Sequence, residues 1–119
     1  LGLSPAAQLA RLKRQRLADG VVMAIEMSTL PVSVLPDPLR VKNSLYAHLD
    51  AAGFAVARAL QHARAVNASP EIAALAGIAE GCAMLLMTRI GYTTRNQAIE
   101  LTDTYCRNDY YDFVAELKR

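Results

Sequence analysis

The chain has 119 residues, which is the length of a single domain. Apolar residues make up 53% of it and charged residues 20%, so it is too hydrophobic to be a disordered protein. The net charge of only +2 is too weak to argue by itself for binding to nucleic acid or anionic lipid. Its longest apolar runs are far shorter than the roughly 18 residues that span a bilayer, so we expect a soluble protein without a membrane partner.

A hairpin is predicted for the first thirty residues, with strands Gln8–Leu17 and Val21–Leu30 flanking a turn at 18–20. With a three-residue loop and Gly20 in the left-handed region, period-two alternation gathers six side chains on one face. These are Leu12, Arg14, Arg16, Val22, Ala24 and Glu26. A two-residue turn would shift the register by one and send Glu26 to the other face, and the pattern alone leaves both open.

The three prolines in Leu30–Pro38 argue that this stretch cannot join a sheet ladder and predict a loop that runs outside the core. A helix is predicted over Asn43–Ala52, with Asn43 as its N-cap and Gly53 at its C-cap. The next run, Phe54–Val66, alternates like a strand but contains five alanines that favour a helix, and we favour the strand.

A short second helix is predicted from the N-cap Ser69 to Gly77. The apolar run Cys82–Tyr92 is typical of a strand at the centre of a sheet. After a polar turn, Ala98–Cys106 alternates again, and Tyr110–Lys118 is expected to add a last strand. The predicted fold is therefore an α+β domain with a mostly antiparallel sheet and short helices.

Two groups of residues have the chemistry of an anion site. Arg14 and Arg16 lie side by side on one strand face, where paired guanidinium groups suit a carboxylate or phosphate. Ser44 and Tyr46 lie in the first helical turn, where free N–H groups attract anions. Each also has a simpler explanation, because a solvated basic strand face and an ordinarily capped helix show the same pattern.

Two carboxylates, Glu26 and Glu100, lie in otherwise apolar or neutral strand runs. A carboxylate that faces into a domain is costly unless it is paired, so each either meets an arginine, binds a ligand's hydroxyl or amine, or points to water. No nucleotide-binding or hydrolase motif is present, so no motif supports catalysis or a bound cofactor.

Two cysteines and two histidines complete the inventory of reactive side chains. Cys82 and Cys106 are too few for a disulfide scaffold, and His48 and His62 lie far from both in sequence. This usage argues for a reducing cytoplasm and against a zinc site. The N-terminus has no signal-peptide pattern and no initiator Met, which predicts a fragment of a longer chain.

Three segments in this order resemble the UTRA (UbiC transcription regulator-associated) effector-binding domain of GntR-type bacterial repressors of the HutC subfamily. They are RQRLADGVVMAIE, SLYAHL and AIELTDTYCRNDYYDFVAELKR. The resemblance covers nearly the whole chain, 1–119. It implies a chorismate-lyase-like fold, a small-molecule pocket, and a homodimer that relays its ligand state to a winged-helix DNA-binding domain.

The resemblance also implies site residues. Arg14 and Arg16 match the family's arginine pair, which holds the anionic group of the effector in sugar-phosphate-responsive members. Glu26 matches the glutamate of the first hairpin, which favours the three-residue turn. Four further matches complete the expected effector site: Ser44, Tyr46, Glu100 and Tyr105. Some members carry the contacting tyrosine where this chain has Cys106, so Tyr105 and Cys106 remain alternatives.

The resemblance implies a sensor for a small anionic metabolite, such as a sugar phosphate, a phosphonate or a carboxylic acid. The winged helix and the first strand of the domain are expected to be absent, so operator DNA would be contacted only through that missing part. Two other functions stay open. One is an enzyme that releases a carboxylated aromatic product from chorismate on the same fold, and the other is a dimerisation module with a degenerate pocket.

Overall fold

A computed structural model describes residues 8–42, 44–109 and 116–118. Within them, five strands form one antiparallel sheet: β1 (Leu9–Ala18), β2 (Val21–Pro31), β3 (Arg58–Asn67), β4 (Ala83–Tyr92) and β5 (Ala98–Arg107). Two short helices accompany the sheet: α1 (Leu45–Ala51) and α2 (Pro70–Ala76). The predicted α+β fold is confirmed.

The strand order in the sheet is β1-β2-β5-β4-β3. The strand expected within Phe54–Val66 is confirmed as β3, which begins at Arg58 and forms an edge of the sheet, so three of the five alanines are strand residues. The apolar run expected at the centre is β4, which lies inside the sheet but one place from that centre, because β5 holds the middle position. The last strand predicted at Tyr110–Lys118 falls largely outside the described residues, and 116–118 are not in a strand.

The first hairpin combines a two-residue turn with a bulge. Asp19 and Gly20 both have positive φ, 51° and 77°, as a type I′ turn requires, so the three-residue loop is wrong. Arg16 then pairs with Ala24 while its neighbour Leu17 pairs with Val22, which makes Met23 an extra residue in β2. This bulge shifts the register back by one, as bulges do.

Because of the bulge, Glu26 stays on the face of the two arginines despite the two-residue turn. Arg14 lies directly opposite Glu26, and residues opposite each other across strands share a face. Val22 is the exception among the six expected residues, since it follows the turn before the bulge and packs on the other side with Ile25.

The two faces of the sheet carry different helices. We call the side that holds Arg14, Arg16, Glu26 and Glu100 the α1 face, because Tyr46 of α1 contacts it through Glu100. The other side is the α2 face. It packs α2 through a core of six buried side chains: Ile25, Ala68, Ile72, Ala73, Ala76 and Met84.

A second core surrounds α1 and the loop that precedes it. The prediction that Leu30–Pro38 stays out of the sheet and the core is therefore wrong, because β2 continues to Pro31 and the loop buries Val34 and Leu35. Leu45 and Leu49 of the helix pack there with Leu30, Leu35 and Ile99. Ile99 reaches this core at the start of β5, where the pairing with β4 is irregular and the strict alternation breaks. The packing fixes α1 beside the end of β5 that carries Glu100.

Both helices begin at serine caps. Ser44 accepts a hydrogen bond from the N–H of Ala47, so Ser44 is the N-cap of α1, and the cap predicted at Asn43 is wrong. Asn43 itself lies outside the described residues. The predicted second helix is confirmed, with Ser69 as its N-cap and Gly77 ending it in the left-handed region at φ 69°.

Candidate functional site

The α1 face holds an arginine–glutamate pair near the hairpin turn. Arg16 donates from Nε and Nη2 to the two carboxylate oxygens of Glu26, at 2.9 and 3.3 Å. Glu26 is nearly buried, with 11% of its side chain exposed, whereas Arg16 is 44% exposed. The pair is therefore anchored on the buried side and open to solvent on the arginine side.

A second carboxylate, Glu100, is completely buried on the same face. The Tyr46 hydroxyl and Arg89 Nε donate to Glu100 Oε1 at 2.6 and 3.0 Å, and Thr102 donates to Oε2. Because the single Thr102 proton is used on Glu100, Ser28 must donate the 2.7 Å bond between the two hydroxyls. The carboxylate is thus satisfied by an arginine, a phenol and a hydroxyl chain.

This network shifts the titration of its members. Burial raises the pKa of the Tyr46 hydroxyl well above its ordinary value, and the hydrogen bond to Glu100 raises that pKa further. Burial alone would lower the pKa of Arg89, but the adjacent Glu100 carboxylate outweighs it and the pKa is raised. Tyr46 is therefore a neutral donor and Arg89 a permanent cation at physiological pH.

A cavity of about 250 Å³ opens on this face between the two carboxylate networks. It is lined by residues from all five strands, including the bulge residue of β2. They are Arg16, Met23, Ala24, Glu26, Gln61, Met87, Arg89 and Thr104. The volume lies just below the roughly 300–1,000 Å³ that is typical for drug-sized ligands, so the cavity suits a metabolite of few atoms.

The charges of the α1 face favour a negative ligand. Among the strand residues described there, the guanidinium groups of Arg14, Arg16 and Arg89 outnumber the carboxylates of Glu26 and Glu100. Thr104 and Gln61 add neutral hydrogen-bonding groups to the wall. The arrangement can bind an anion and orient its polar substituents.

The structure brings together five of the seven sequence-predicted residues on the α1 face. They are Arg14, Arg16, Glu26, Tyr46 and Glu100. Arg16 and Glu26 line the cavity directly. Arg14 lies two residues further from the hairpin turn and has its Nη1 atom buried.

Ser44 and Tyr105 are not brought to this cavity. The Ser44 hydroxyl caps α1 and lies in a separate concavity of about 420 Å³ with Arg40, Lys42 and His48. Tyr105 packs in the core of the α2 face, where burial and then Asp103 raise the pKa of its hydroxyl. Cys106 is the neighbour that faces the α1 side, fully buried against Ala24 and Met87 of the cavity wall.

A further cavity of about 420 Å³ lies on the α2 face, lined among others by Arg11, Lys13, Glu71 and Asp103. Lys13 and Glu71 form an ion pair there, but both side chains are more than half exposed. Such solvent-exposed pairs contribute little binding energy. The buried carboxylates and the bidentate arginine make the smaller cavity the stronger candidate.

Sequence reasoning missed Arg89 and Gln61 as residues of the cavity wall. The only signal for Arg89 was a single charged residue in an apolar strand, which must find a partner when the strand is buried. The alternation placed it on a face, but the partner Glu100 became identifiable only from the pairing of β4 with β5, in which Gly91 lies opposite Glu100 and Arg89 opposite Thr102.

Comparison with known proteins identifies relatives along the entire chain. The family model described as the UTRA domain matches residues 1–112. The chain is 30% identical over 122 residues to the HTH-type transcriptional repressor NagR of Bacillus subtilis, a match that covers all of this chain and 50% of NagR. It is 29% identical to the HTH-type transcriptional repressor PhnF of Mycolicibacterium smegmatis, over 97% of this chain and 48% of PhnF.

The fold is found in solved structures as well. The effector domain of PhnF from Mycobacterium smegmatis superposes with a TM-score of 0.90 at 28% identity, over all of this chain and 75% of that one. A GntR-family regulator from Enterococcus faecalis gives a TM-score of 0.87 at 26% identity, over 97% of this chain and 85% of that one. The chain spans about half the length of the curated relatives it matches.

Proposed function

The chain belongs to the UTRA domain family of GntR-type regulators, and we propose that its α1-face cavity is the effector site of a transcriptional repressor. The observation that carries this proposal is the cavity itself, which Arg16, Glu26 and Arg89 line together on one face of the sheet. The effector is a small anionic metabolite, because the guanidinium groups on this face outnumber the carboxylates.

Each residue has a role in this proposal. Arg16 holds the anionic group of the effector in the cavity, and Arg14 adds positive charge from the same face. Glu26 keeps Arg16 in place through two hydrogen bonds and accepts from polar substituents of the ligand. Glu100 and Tyr46 connect the site to α1.

The response to the ligand is a population shift in a longer regulator. The relatives are helix-turn-helix repressors about twice as long as this chain, which supports an attached winged-helix domain as the operator-binding part. The regulator works in the cytoplasm as a homodimer of the HutC type. The two subunits can adopt more than one relative arrangement. An effector that binds one arrangement more tightly than another favours it and so changes the spacing of the attached DNA-binding domains.

The first test is an isothermal titration calorimetry experiment. The 119-residue chain is titrated separately with inorganic phosphate, phosphomonoesters, phosphonates and carboxylic acids. We expect a saturable response to at least one anion class and a loss of about tenfold or more in affinity for Arg16→Gln. Arg64→Gln is the matched control, because Arg64 is an exposed arginine on the edge strand β3 with no place in the cavity. Equal losses in both variants would show that only general charge is sensed.

We further propose that the protein binds its ligand without altering it chemically. The curated relatives are repressors, which supports binding without chemistry. The chorismate-lyase-like alternative has a direct test, since incubation with chorismate and chromatography for 4-hydroxybenzoate distinguishes the two functions. If the chain converts chorismate in a reaction that depends on Arg16, the proposed sensor function is wrong and the domain is an enzyme.

Among the described residues, no helix is long and apolar enough to cross a membrane.

A further inference from the structure

Arg89 of β4 is a cavity residue that neither the sequence pattern nor the family resemblance assigned to the site. Its Nε donates to the buried Glu100 at 3.0 Å, and its guanidinium carbon lies 4.8 Å from the centre of the Tyr46 ring. With 31% of its side chain exposed, it still contributes to the wall of the cavity.

These contacts fix the Arg89 guanidinium and leave its Nη hydrogen-bond donors available for a ligand. Only Nε is used on Glu100, and neither Nη group donates to any other residue in the part of the chain that the structure describes. The Tyr46 ring and the Glu100 carboxylate hold the guanidinium plane, so little side-chain entropy remains to be lost when a ligand binds. Arg89 is therefore a preorganised fork of donors at the cavity.

Arg16 and Arg89 come from strands on opposite sides of this cavity. Their strands, β1 and β4, are separated by β2 and β5. Three strand spacings of about 4.8 Å put the two strands about 14 Å apart. The register also places Arg89 four residues along β4 from Leu85, which is level with Arg16, so the two side chains approach a ligand from opposite ends. Thr104 of β5 lies between them in the wall.

We infer that Arg89 is a second anion-binding residue of the effector site, and that the effector is a small molecule with two anionic groups, one for Arg16 and one for Arg89. This inference rests on the proposed effector site and adds the ligand class. A ligand with a single charged group engages only one of the two guanidinium groups, so Arg89 determines specificity.

Two phosphonates that differ by one carboxylate provide the test. Phosphonoacetate carries a phosphonate and a carboxylate, whereas methylphosphonate carries the phosphonate alone. We expect the wild-type chain to bind phosphonoacetate about tenfold or more tighter than methylphosphonate in calorimetry. Arg89→Gln should reduce this ratio to about one, and Arg64→Gln should leave it unchanged.

Arg89→Gln also leaves the buried Glu100 without its cation and can impair folding. A second pair of variants avoids this problem. Glu100→Gln keeps an oxygen that accepts from Arg89 Nε and so keeps the guanidinium oriented, but it removes the buried negative charge that competes with the ligand for Arg89. Phosphonoacetate should therefore bind several-fold tighter than to the wild type. Adding Arg89→Gln to Glu100→Gln should cancel that gain, which a purely structural role of Arg89 would not produce.

The outcomes separate this inference from the proposed function. If the wild type binds both phosphonates and Arg16→Gln weakens them while Arg89→Gln leaves the ratio intact, the sensor stands and the role of Arg89 is overturned. If the wild type binds no anion of the panel, the anion-sensing function fails and the inference fails with it.

Discussion

The two faces of the sheet are built from the same strands, yet they bury different chemistry. On the α2 face, Ile25 and Met84 pack against Ile72 and its neighbours in an apolar core. On the α1 face, Glu100 is as inaccessible as Ile25, but it is held by charge and hydrogen bonds.

This difference separates folding from binding. Apolar burial stabilises the fold at about 25 cal/mol per Å² of surface removed from water, and both the α2 face and the core around α1 contribute in this way. A buried ion pair such as Arg89–Glu100 recovers little more than its own desolvation cost and is often replaceable by apolar residues without loss of stability. The α1 face therefore carries charges that stability alone does not require.

The largest effect on stability is expected from a substitution in the apolar core of the α2 face. Ile25→Ala should lower the free energy of unfolding by about 2–5 kcal/mol, because it leaves a cavity between β2 and α2. Urea denaturation measures the loss, and the anion affinity of the folded fraction should stay at the wild-type value. Leu60→Ala is the control, since Leu60 is 49% exposed and its truncation should change stability by less than about 0.5 kcal/mol. A loss of anion binding in folded Ile25→Ala would remove the separation between the faces.

The next effect concerns Gly91 on β4. A Cβ at this position would lie 2.7 Å from Glu100 Oε1 and 2.8 Å from its Cγ, closer than atoms can approach. Gly91→Ala should therefore displace the Glu100 carboxylate from Arg89 and Tyr46 and cost about 1–3 kcal/mol in thermal or urea unfolding.

A double-mutant cycle makes that prediction specific to the contact. In a Glu100→Ala background, which removes both the Cγ and the carboxylate of Glu100, the new methyl group has room, so Gly91→Ala should cost about 1 kcal/mol less there than in the wild type. Additive losses would show that the glycine matters for the strand backbone and not for the carboxylate.

How far the site could be predicted follows from these particular residues. Alternation in β5 indicates that Glu100 and Tyr105 have opposite directions, and the structure agrees, with Glu100 on the α1 face and Tyr105 in the α2 core. The side on which Glu26 lies depended on the turn and on a bulge at Met23, and nothing in the residue types announces a bulge. The partner of Arg89 depended on the pairing of two strands, which is a tertiary property.

The family resemblance supplied what alternation could not, but it did not supply everything. It favoured the correct face for Glu26 through a three-residue turn that the chain does not use. It named Ser44, whose hydroxyl is used as a helix cap outside the cavity. Matching motifs therefore indicated residues that mostly share one face of the sheet, but it did not give the geometry among them.

The smallest expected effect is on the hydroxyl that joins α1 to the buried carboxylate. Tyr46→Phe removes the donor to Glu100 Oε1 and should cost about 1 kcal/mol near neutral pH. Tyr105→Phe on the α2 face is the matched variant, because Tyr105 makes no hydrogen bond through its hydroxyl to other described residues. Its loss should stay below about 0.5 kcal/mol.

The stability difference between the wild type and Tyr46→Phe should also depend on pH, in a direction that the pKa of Tyr46 determines. The pKa of Tyr46 is raised in the folded state above its ordinary value of 10.0, so the unfolded chain releases this proton first as the pH rises. The stabilisation from Tyr46 is complete below about pH 10 and is lost above it, as the pH approaches the folded-state pKa. In unfolding curves from about pH 8 to about pH 11, the gap between wild type and Tyr46→Phe should therefore narrow at the alkaline end. Parallel curves over that range would mean that the phenol and the carboxylate are not coupled in solution, and that α1 is held to the sheet by its apolar contacts alone.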